Sequence, residues 1–295
     1  MEHPLWDGWE AFMSEVQLIT DSTCDLSPEL LQKHDIDVLP LYVNFEEESF
    51  QDNVDMTTPE MYRKVQELGI VPKTAAASPG DFESVFKKHL EAGKHIVYAG
   101  IGSKFSATLQ NAMIAKQNLN ANNIHLVDSE NLSSGSGLLM LKAAKFRDAG
   151  DDAKTIAKKM RDLTPKVRTQ FVIDTLEYLH KGGRLKAISR LVGSMLRIKP
   201  IIKVVDGEMA IGKKARGKTQ AGIKLMVRDA LKDQGNIDED FFMITHSEAD
   251  QHVDYIRGRI EEELGHNNIV ETQAGCVISS HCGPGTIGIL YIVKE

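Results

Sequence analysis

Short apolar runs alternate with amphipathic stretches through the first half of the chain. The runs VQLIT (16–20), HIVYAG (95–100) and IHLVD (124–128) are rich in β-branched residues and predict strands. Helices are predicted to begin after Ser27 and Ser78, because each is a capping residue followed by proline at the first helical position. This alternation predicts a parallel sheet covered by helices. The run IDVLPLYVNF (36–45) predicts one further strand. Ser106 is predicted to cap a helix that begins directly after it, with the sequence ATLQNAMIAKQNL.

The pattern changes in the second half of the chain. TQFVID (169–174) predicts a strand, and the alternating segment 198–214 turns at Asp206-Gly207, a common hairpin signal. The other predicted elements are a helix that ends at Gly182-Gly183, a second helix rich in Arg and Lys, helices near 218–234 and 248–264, a strand over 240–246 and two final strands. Antiparallel strands combined with long helices predict an α+β domain.

A chain of 295 residues corresponds to two domains at about 150 residues each. The change of pattern places their boundary near Thr164-Pro165. We therefore expect an acidic leader over 1–15, an N-terminal α/β domain with a parallel sheet over 16–165, and a C-terminal α+β domain with a mixed or antiparallel sheet over 166–295. No low-complexity linker separates them, so the two domains should pack directly against each other.

Composition narrows the class of protein. The hydrophobic fraction is 42% and the charged fraction 26%, as in soluble globular proteins. A formal net charge of −7 argues against nucleic acid as the main partner. The leader carries no Lys or Arg and does not resemble an export signal. Three cysteines without CxxC spacing are typical of a reducing compartment and give no metal-ligand pattern, so we expect a cytoplasmic protein without a metal.

Polar residues cluster just after the predicted strands, where parallel sheets bind their ligands. These clusters predict a crevice rich in hydrogen-bond donors, although each Ser or Thr alone is as well explained as a helix cap or turn residue. The crevice candidates from these clusters and from the helix start at 78 are Asp21, Ser22, Ser78 and Ser129.

Two glycine motifs invite a nucleotide-binding interpretation. GPGTIG (283–288) matches GxGxxG, but a predicted strand follows it where a dinucleotide site needs a helix. GIGSKF (100–105) has a strand before it and a helix after it, but Phe105 replaces the third glycine. Asp128 stands where an acidic ribose contact would lie, so a nucleotide site remains an alternative. A separate basic stretch, 181–197, is a solvated face, an anion site or a docking surface for an acidic or phosphate-bearing partner. Arg184 is the best candidate to reach inward.

DSTCDL (21–26) is similar to the DSTxDL opening of one protein family, and the resemblance extends over about residues 17–293. On this motif the chain resembles the DegV family, the lipid-binding subunits of bacterial fatty acid kinase systems. Further matches follow in the same order, namely KT (73–74), SPG (78–80), SKFSAT (103–108), DS (128–129), YLHKGGRL (178–185), KPII (199–202) and HCGPG (281–285).

The resemblance implies two domains with a long-chain fatty acid buried between them and no other cofactor. Thr74 and Ser103 match a Thr and a Ser that bind the carboxylate, and Arg184 and His281 match residues near the head group. Arg216 matches an Arg associated with engaging the kinase. The subunit itself does no chemistry: a separate ATP-dependent kinase, similar to dihydroxyacetone kinases, forms the acyl-phosphate for phospholipid synthesis. We expect a monomer in transient contact with membranes.

Other functions are left open by the residues. TAAAS (74–78) departs from the TSQPS common in the family, so the acyl-chain preference and the partner contact stay undecided. One alternative is a free-standing enzyme that acts on a small anionic substrate or nucleotide with His281 or Asp21 as general base. Another is a lipid carrier or sensor that serves a partner other than a kinase.

Overall fold

The computed structural model describes residues 16–184, 198–265 and 268–295. The first half contains β1 (Val16–Asp21), α1 (Pro28–Lys33), β2 (Ile36–Leu39), β3 (Tyr42–Phe45), β4 (Glu48–Gln51), α2 (Thr58–Leu68), β5 (Lys73–Ala75), α3 (Pro79–Glu91), β6 (His95–Ala99), α4 (Thr108–Asn118), β7 (Ile124–Val127), α5 (Ser134–Asp148) and α6 (Ala153–Leu163). The second half contains β8 (Val167–Val172), α7 (Glu177–Lys181), β9 (Ile198–Val205), β10 (Glu208–Arg216), α8 (Thr219–Ala230), β11 (Ile237–Ser247), α9 (Val253–Leu264), β12 (Ile269–Gln273), α10 (Cys276–Cys282) and β13 (Thr286–Val293).

The first half forms the predicted parallel sheet. Its strand order is β2-β1-β6-β7, and each neighbouring pair is parallel. All six residues of β1 are buried, as expected for a strand covered on both faces. The predicted starts of α1 and α3 are confirmed, since Ser27 Oγ accepts from the Leu30 amide at 3.3 Å and Ser78 Oγ accepts from the Asp81 amide at 3.2 Å.

The prediction of one strand over 36–45 is wrong, because two strands of different sheets occupy this segment. Pro40 separates β2 from β3, and proline has no backbone N–H to continue a ladder. β3 leaves the parallel sheet and pairs antiparallel with β4 and β5 in a small separate sheet. Its register places Val43 opposite Thr74, and both β3 and β5 contact α10 from the second half of the chain.

The second half forms a mixed sheet in the order β10-β9-β8-β13-β11-β12. β11 and β12 are parallel and the other neighbours are antiparallel. The predicted hairpin is confirmed, because Asp206 and Gly207 both have positive φ (50° and 74°) in the turn between β9 and β10. The predicted helix rich in Arg and Lys, at 185–197, lies outside the described residues. α10 occupies the segment between the two final strands.

Helix α5 joins the two sheets into one core. It packs on β1 and β6 of the parallel sheet and on β8, β11 and β13 of the mixed sheet. Its central residues, Leu138 to Leu141, are fully buried. The change from one sheet to the other falls between β7 and β8, while the domain boundary near Thr164-Pro165 stays a prediction. Across the described residues, no helix has both the length and the apolar character needed to cross a bilayer.

Candidate functional site

A cavity lies where α10 and the mixed sheet face the loops of the first half. The empty space inside it, with the open mouth included, is about 980 Å³. Most of its wall is apolar. The apolar side chains that line it are Leu41, Ala75, Ala76, Ile101, Phe105, Leu132, Phe171, Leu179, Met209, Val277, Ile278 and Leu290.

Several hydroxyl groups also line this cavity, but they are already paired inside the protein. Their hydrogen bonds are Thr169 Oγ1 to Asn131 Oδ1 at 2.7 Å, Thr245 Oγ1 with Thr272 Oγ1 at 2.8 Å, Ser247 Oγ with Tyr62 OH at 2.6 Å, and Thr286 Oγ1 to the Cys282 carbonyl at 2.9 Å. A hydroxyl that is satisfied within the protein has little need of water or of a polar ligand. This part of the wall therefore suits an apolar chain despite its polar residue names.

A second group of polar side chains on the cavity brings distant parts of the sequence together. Thr74 from β5 and His281 from α10 are 207 positions apart, and Thr74 Oγ1 lies 3.0 Å from His281 Nε2. Ser106 and Arg184 line the same cavity. Three of the four residues that the family resemblance assigned to the carboxylate and head group, Thr74, Arg184 and His281, are thus on one cavity.

Packing and charge fix the state of His281. The ring lies against Gly182, where an added Cβ would come closer than 3.0 Å to Nδ1. Burial, aided by the nearby Arg184 guanidinium, lowers the pKa of His281 to about 4. His281 is therefore neutral near pH 7 and carries a single N–H.

The position of that proton follows from the surroundings of the ring. Nδ1 is buried and has no hydrogen-bond partner among the described residues. A buried N–H without a partner is more costly than a buried acceptor without one, so the proton is favoured on Nε2. Nε2–H then donates to Thr74 Oγ1. This leaves the hydroxyl proton of Thr74 free to be donated to a ligand in the cavity.

Ser106, rather than Ser103, is the serine on the cavity wall. Ser103 is exposed, and both its amide (3.1 Å) and its hydroxyl donate to the carboxylate of Asp128. The amides of Phe105 and Ser106 donate to the Gly102 carbonyl at 2.9 and 3.3 Å, and this turn separates the two serines. The signal in the sequence was the second serine of SKFSAT, at the predicted start of α4.

Ser106 can donate a hydrogen bond into the cavity. Its Oγ lies 2.7 Å from Thr108 Oγ1 and accepts from the Thr108 amide at 3.3 Å. Because either hydroxyl can be the donor, Ser106 Oγ can accept from Thr108 and turn its own proton toward a ligand. α4 itself begins at Thr108, and its N-cap is Ala107, one residue beyond the cap predicted from the sequence.

Arg184 supplies the positive charge of the site. It is exposed at the mouth, and its Nη1 donates to the Gly182 carbonyl at 3.0 Å. Within the described ranges, no carboxylate forms an ion pair with it. The guanidinium therefore has donors left for an anionic group.

The four crevice candidates hold loops together and lie outside the cavity lining. Asp21 accepts from the Tyr98 hydroxyl and the Ile101 amide, both at 2.9 Å, and burial raises its pKa. The other three act as caps or turn residues. Ser22 Oγ accepts from the Leu41 amide at 3.1 Å, Ser78 Oγ caps α3, and Ser129 Oγ donates to the Gly100 carbonyl at 2.6 Å.

These contacts also weigh against the nucleotide alternative. An added Cβ on Gly100 would come closer than 3.0 Å to Asp21 Oδ2, so this glycine allows the loop to pack on Asp21. Asp128 is bound to Ser103. The expected strand after GPGTIG is confirmed as β13.

Arg216, Cys24 and Cys276 lie outside the cavity lining, whereas Cys282 is on it beside His281. Arg216 is exposed at the end of β10, and its proposed role stays a prediction. Cys24, Cys276 and Cys282 are buried thiols, and burial raises the pKa of each. In the part of the chain that the structure describes, no cluster of three or more His, Cys, Asp or Glu is placed to hold a metal ion.

A profile described as "Uncharacterised protein, DegV family" matches residues 15–294. The chain belongs to the DegV family. A DegV domain-containing protein of Clostridium acetobutylicum is 35% identical to it over 282 residues, which cover 96% of this chain and 100% of the relative.

Solved structures of the family share the same two-domain α/β fold. A DegV family protein from Thermus thermophilus, described by its fatty acid binding, has a TM-score of 0.87 and 28% identity, covering 95% of this chain and 99% of the other. A stearic acid-binding protein from Eubacterium ventriosum has a TM-score of 0.86 and 26% identity, covering 95% and 98%. The structural neighbours of this chain are thus DegV proteins that bind fatty acids.

Proposed function

We propose that this DegV protein binds a long-chain fatty acid in the cavity and presents its carboxylate to a partner ATP-dependent kinase. The acyl chain lies along the apolar wall, and the carboxylate accepts from Thr74, Ser106 and Arg184. The observation that carries the proposal is the cavity itself, an apolar wall on which neutral hydroxyls and the Arg184 guanidinium are grouped. The fatty-acid-binding relatives support it.

The energetics of the site suit such a ligand. A chain of 16 to 18 carbons gains on the order of 10 kcal/mol on burial, at ~0.8 kcal/mol per methylene and before the costs of ordering it. An unsatisfied buried carboxylate would cancel this gain. Two hydroxyl donors and Arg184 satisfy the carboxylate without attacking it.

A free-standing enzyme is less well supported by the same contacts. Its general base would be His281 or Asp21. With its pKa lowered to about 4, His281 is a weak base near neutral pH, and its Nε2 is already engaged with Thr74. Asp21 lies outside the cavity lining, with both carboxylate oxygens bonded. We therefore assign phosphoryl transfer to the partner.

Ligand loading tests the binding site. We expect mass spectrometry of purified wild-type protein, extracted with solvent, to find C14–C18 acids near one equivalent. The double variant Thr74→Ala/Ser106→Ala should retain at least tenfold less. Ser103→Ala is the matched control, because it removes a nearby exposed hydroxyl that faces Asp128, and its loading should equal wild type. Loading that is unchanged in the double variant would remove the carboxylate site.

Activity with the kinase tests the presentation step. We expect Arg216→Ala to lose acyl-phosphate formation with the cognate kinase and ATP while it keeps its bound fatty acid. Lys214→Ala, two residues earlier on β10, is the control for general loss of positive charge. Arg216 would be structural if the variant lost both ligand and activity. A non-kinase partner would be indicated if wild-type protein gave no acyl-phosphate with any kinase of its own cell.

A further inference from the structure

Helix α10 carries much of the polar and apolar wall of the cavity. Val277, Ile278, His281 and Cys282 all line it. The helix has seven residues, about two turns, so contacts at its ends decide where these side chains lie.

Two buried carboxyl groups from the first half of the chain hold the start of this helix. Asp25 Oδ1 accepts from the Gly275 amide at 2.9 Å, and Asp52 Oδ1 accepts from the Cys276 amide at 2.6 Å. The other oxygen of Asp25 accepts from the hydroxyl of Ser133, which also lines the cavity. An added Cβ on Gly275 would lie 2.8 Å from Asp52 Oδ1, so the approach requires glycine there.

These carboxyl groups are isolated from positive charge. Asp25 is 4% exposed and Asp52 is 1% exposed. In the described part of the chain, no Lys, Arg or His forms an ion pair with either one. Asp25 and Asp52 face each other, and the other titratable groups that face them are Asp21 at the end of β1, Cys24 just after it, and Cys276 and Cys282 on α10. All of these neighbours become negative when they lose a proton.

We infer that Asp25 and Asp52 are positioning residues for the ligand-facing side of α10, and that they make closure of the cavity depend on pH. The inference deepens the proposed function, since closure matters for holding a fatty acid. Separation of α10 from the two carboxyl groups would expose both of them to water and displace His281 from Thr74.

The sign of the pH dependence follows from burial. Burial raises the pKa of Asp52 to about 6, and it raises the pKa of Asp25 well above its ordinary range. Exposed to water, each would return to about 3.9. The closed state therefore binds protons more tightly than the open state, and raising the pH favours opening. For Asp52 alone the open-to-closed ratio rises about tenfold from pH 5 to pH 7, and Asp25 adds to it in the same direction.

Hydrogen exchange tests this without a ligand. After correction for intrinsic exchange, protection of the Gly275 and Cys276 amides in wild-type protein should fall at least tenfold from pH 5 to pH 7. Asp52→Asn keeps an acceptor for the Cys276 amide but no longer titrates. In this variant, the loss of protection between pH 5 and pH 7 should be about tenfold smaller than in wild-type protein. Asp25→Asn should act in the same way, and in the double variant the protection of these amides should be nearly independent of pH. Asp81→Asn, in the capping box of α3, is the control and should follow wild type.

Release of a fluorescent fatty acid is the second measurement. Wild-type protein should release the fatty acid faster at pH 7 than at pH 5. Titration of the ligand's own carboxylate affects wild type and the Asn variants equally, so the difference between their pH dependences reports on Asp25 and Asp52. A wild-type exchange profile without this pH dependence, or a double variant that keeps it, would overturn the inference. If the double variant does not fold, the wild-type and single-variant profiles still decide it. If no variant binds the fatty acid at any pH, the proposed function fails while the exchange measurement still tests the role of Asp25 and Asp52.

Discussion

The adjacent glycines Gly182 and Gly183 offer a clean test of how His281 is placed. Gly182 has φ −75° and ψ −3°, a conformation that alanine adopts freely, but its added Cβ would come closer than 3.0 Å to His281 Nδ1. Gly183 has φ +71° and nothing within 4 Å of an added Cβ. Gly182→Ala therefore acts mainly on the imidazole, with one further close approach of 3.0 Å to the Tyr178 carbonyl oxygen, and Gly183→Ala strains the backbone without touching the imidazole.

The expected magnitudes differ accordingly. To admit the methyl group of Gly182→Ala, the ring of His281 must move away from α7, and its 3.0 Å hydrogen bond to Thr74 is lost or lengthened. Losing this bond and the orientation of the Thr74 hydroxyl should cost about 1–2 kcal/mol of ligand binding, roughly a five- to thirtyfold rise in Kd. Gly183→Ala should instead cost about 1 kcal/mol of stability and leave Kd unchanged.

Two measurements on each variant separate these effects. Displacement of a fluorescent fatty acid gives Kd, and urea unfolding of ligand-free protein gives stability. We expect Gly182→Ala to change mainly Kd and Gly183→Ala mainly the unfolding midpoint. A Gly182→Ala protein with wild-type affinity would show that the contact between His281 and Thr74 does not position the ligand's carboxylate.

Three further substitutions test other contacts. Gly100→Ala should lower the free energy of unfolding by about 2–4 kcal/mol in urea titrations, because its methyl group meets the buried Asp21 carboxylate. NMR titration should find His281 neutral down to about pH 5, because its folded pKa of about 4 lies below the ordinary value. The contribution of this neutral ring to folding stability is present above about pH 6.5 and is lost as the pH falls toward 4. His281→Gln should remove this pH dependence of stability. Tyr62→Phe should cost about 1 kcal/mol in thermal unfolding through the lost bond to Ser247.

Local signals predicted much of the fold because they act over a few residues. Ser27 and Ser78 each precede a proline, and both cap the helices they were expected to cap. The Asp206-Gly207 turn needs two positive φ angles, and its residue types already favour them. The same reasoning failed at 36–45, because a β-branched run shows that a segment is extended but not which sheet it joins. Only the missing N–H of Pro40 marked the break.

The site was harder to predict because its residues meet only through tertiary structure. Thr74 and His281 lie on different halves of the chain, and spacing alone gave no reason to pair them. Ser103 and Ser106 both follow a strand, and the turn at the Gly102 carbonyl decides which one faces the cavity. The family resemblance supplied the expectation of a serine, but a motif with two serines needed the backbone path to distinguish them.

The prediction of a crevice lined by hydroxyl groups did not distinguish hydroxyls that stabilise loops from hydroxyls that line the cavity. Most of the hydroxyls after the strands are satisfied by other protein groups, such as Ser129 by the Gly100 carbonyl and Ser247 by Tyr62. A hydroxyl that donates its hydrogen bond to another protein group stabilises a loop and presents mainly its carbon atoms to the cavity. Thr74 can accept from His281 Nε2–H and Ser106 can accept from the Thr108 hydroxyl, so each can turn its own proton toward the cavity. The proposed ligand-binding donors therefore depend on hydrogen-bond direction, which residue type and spacing do not specify.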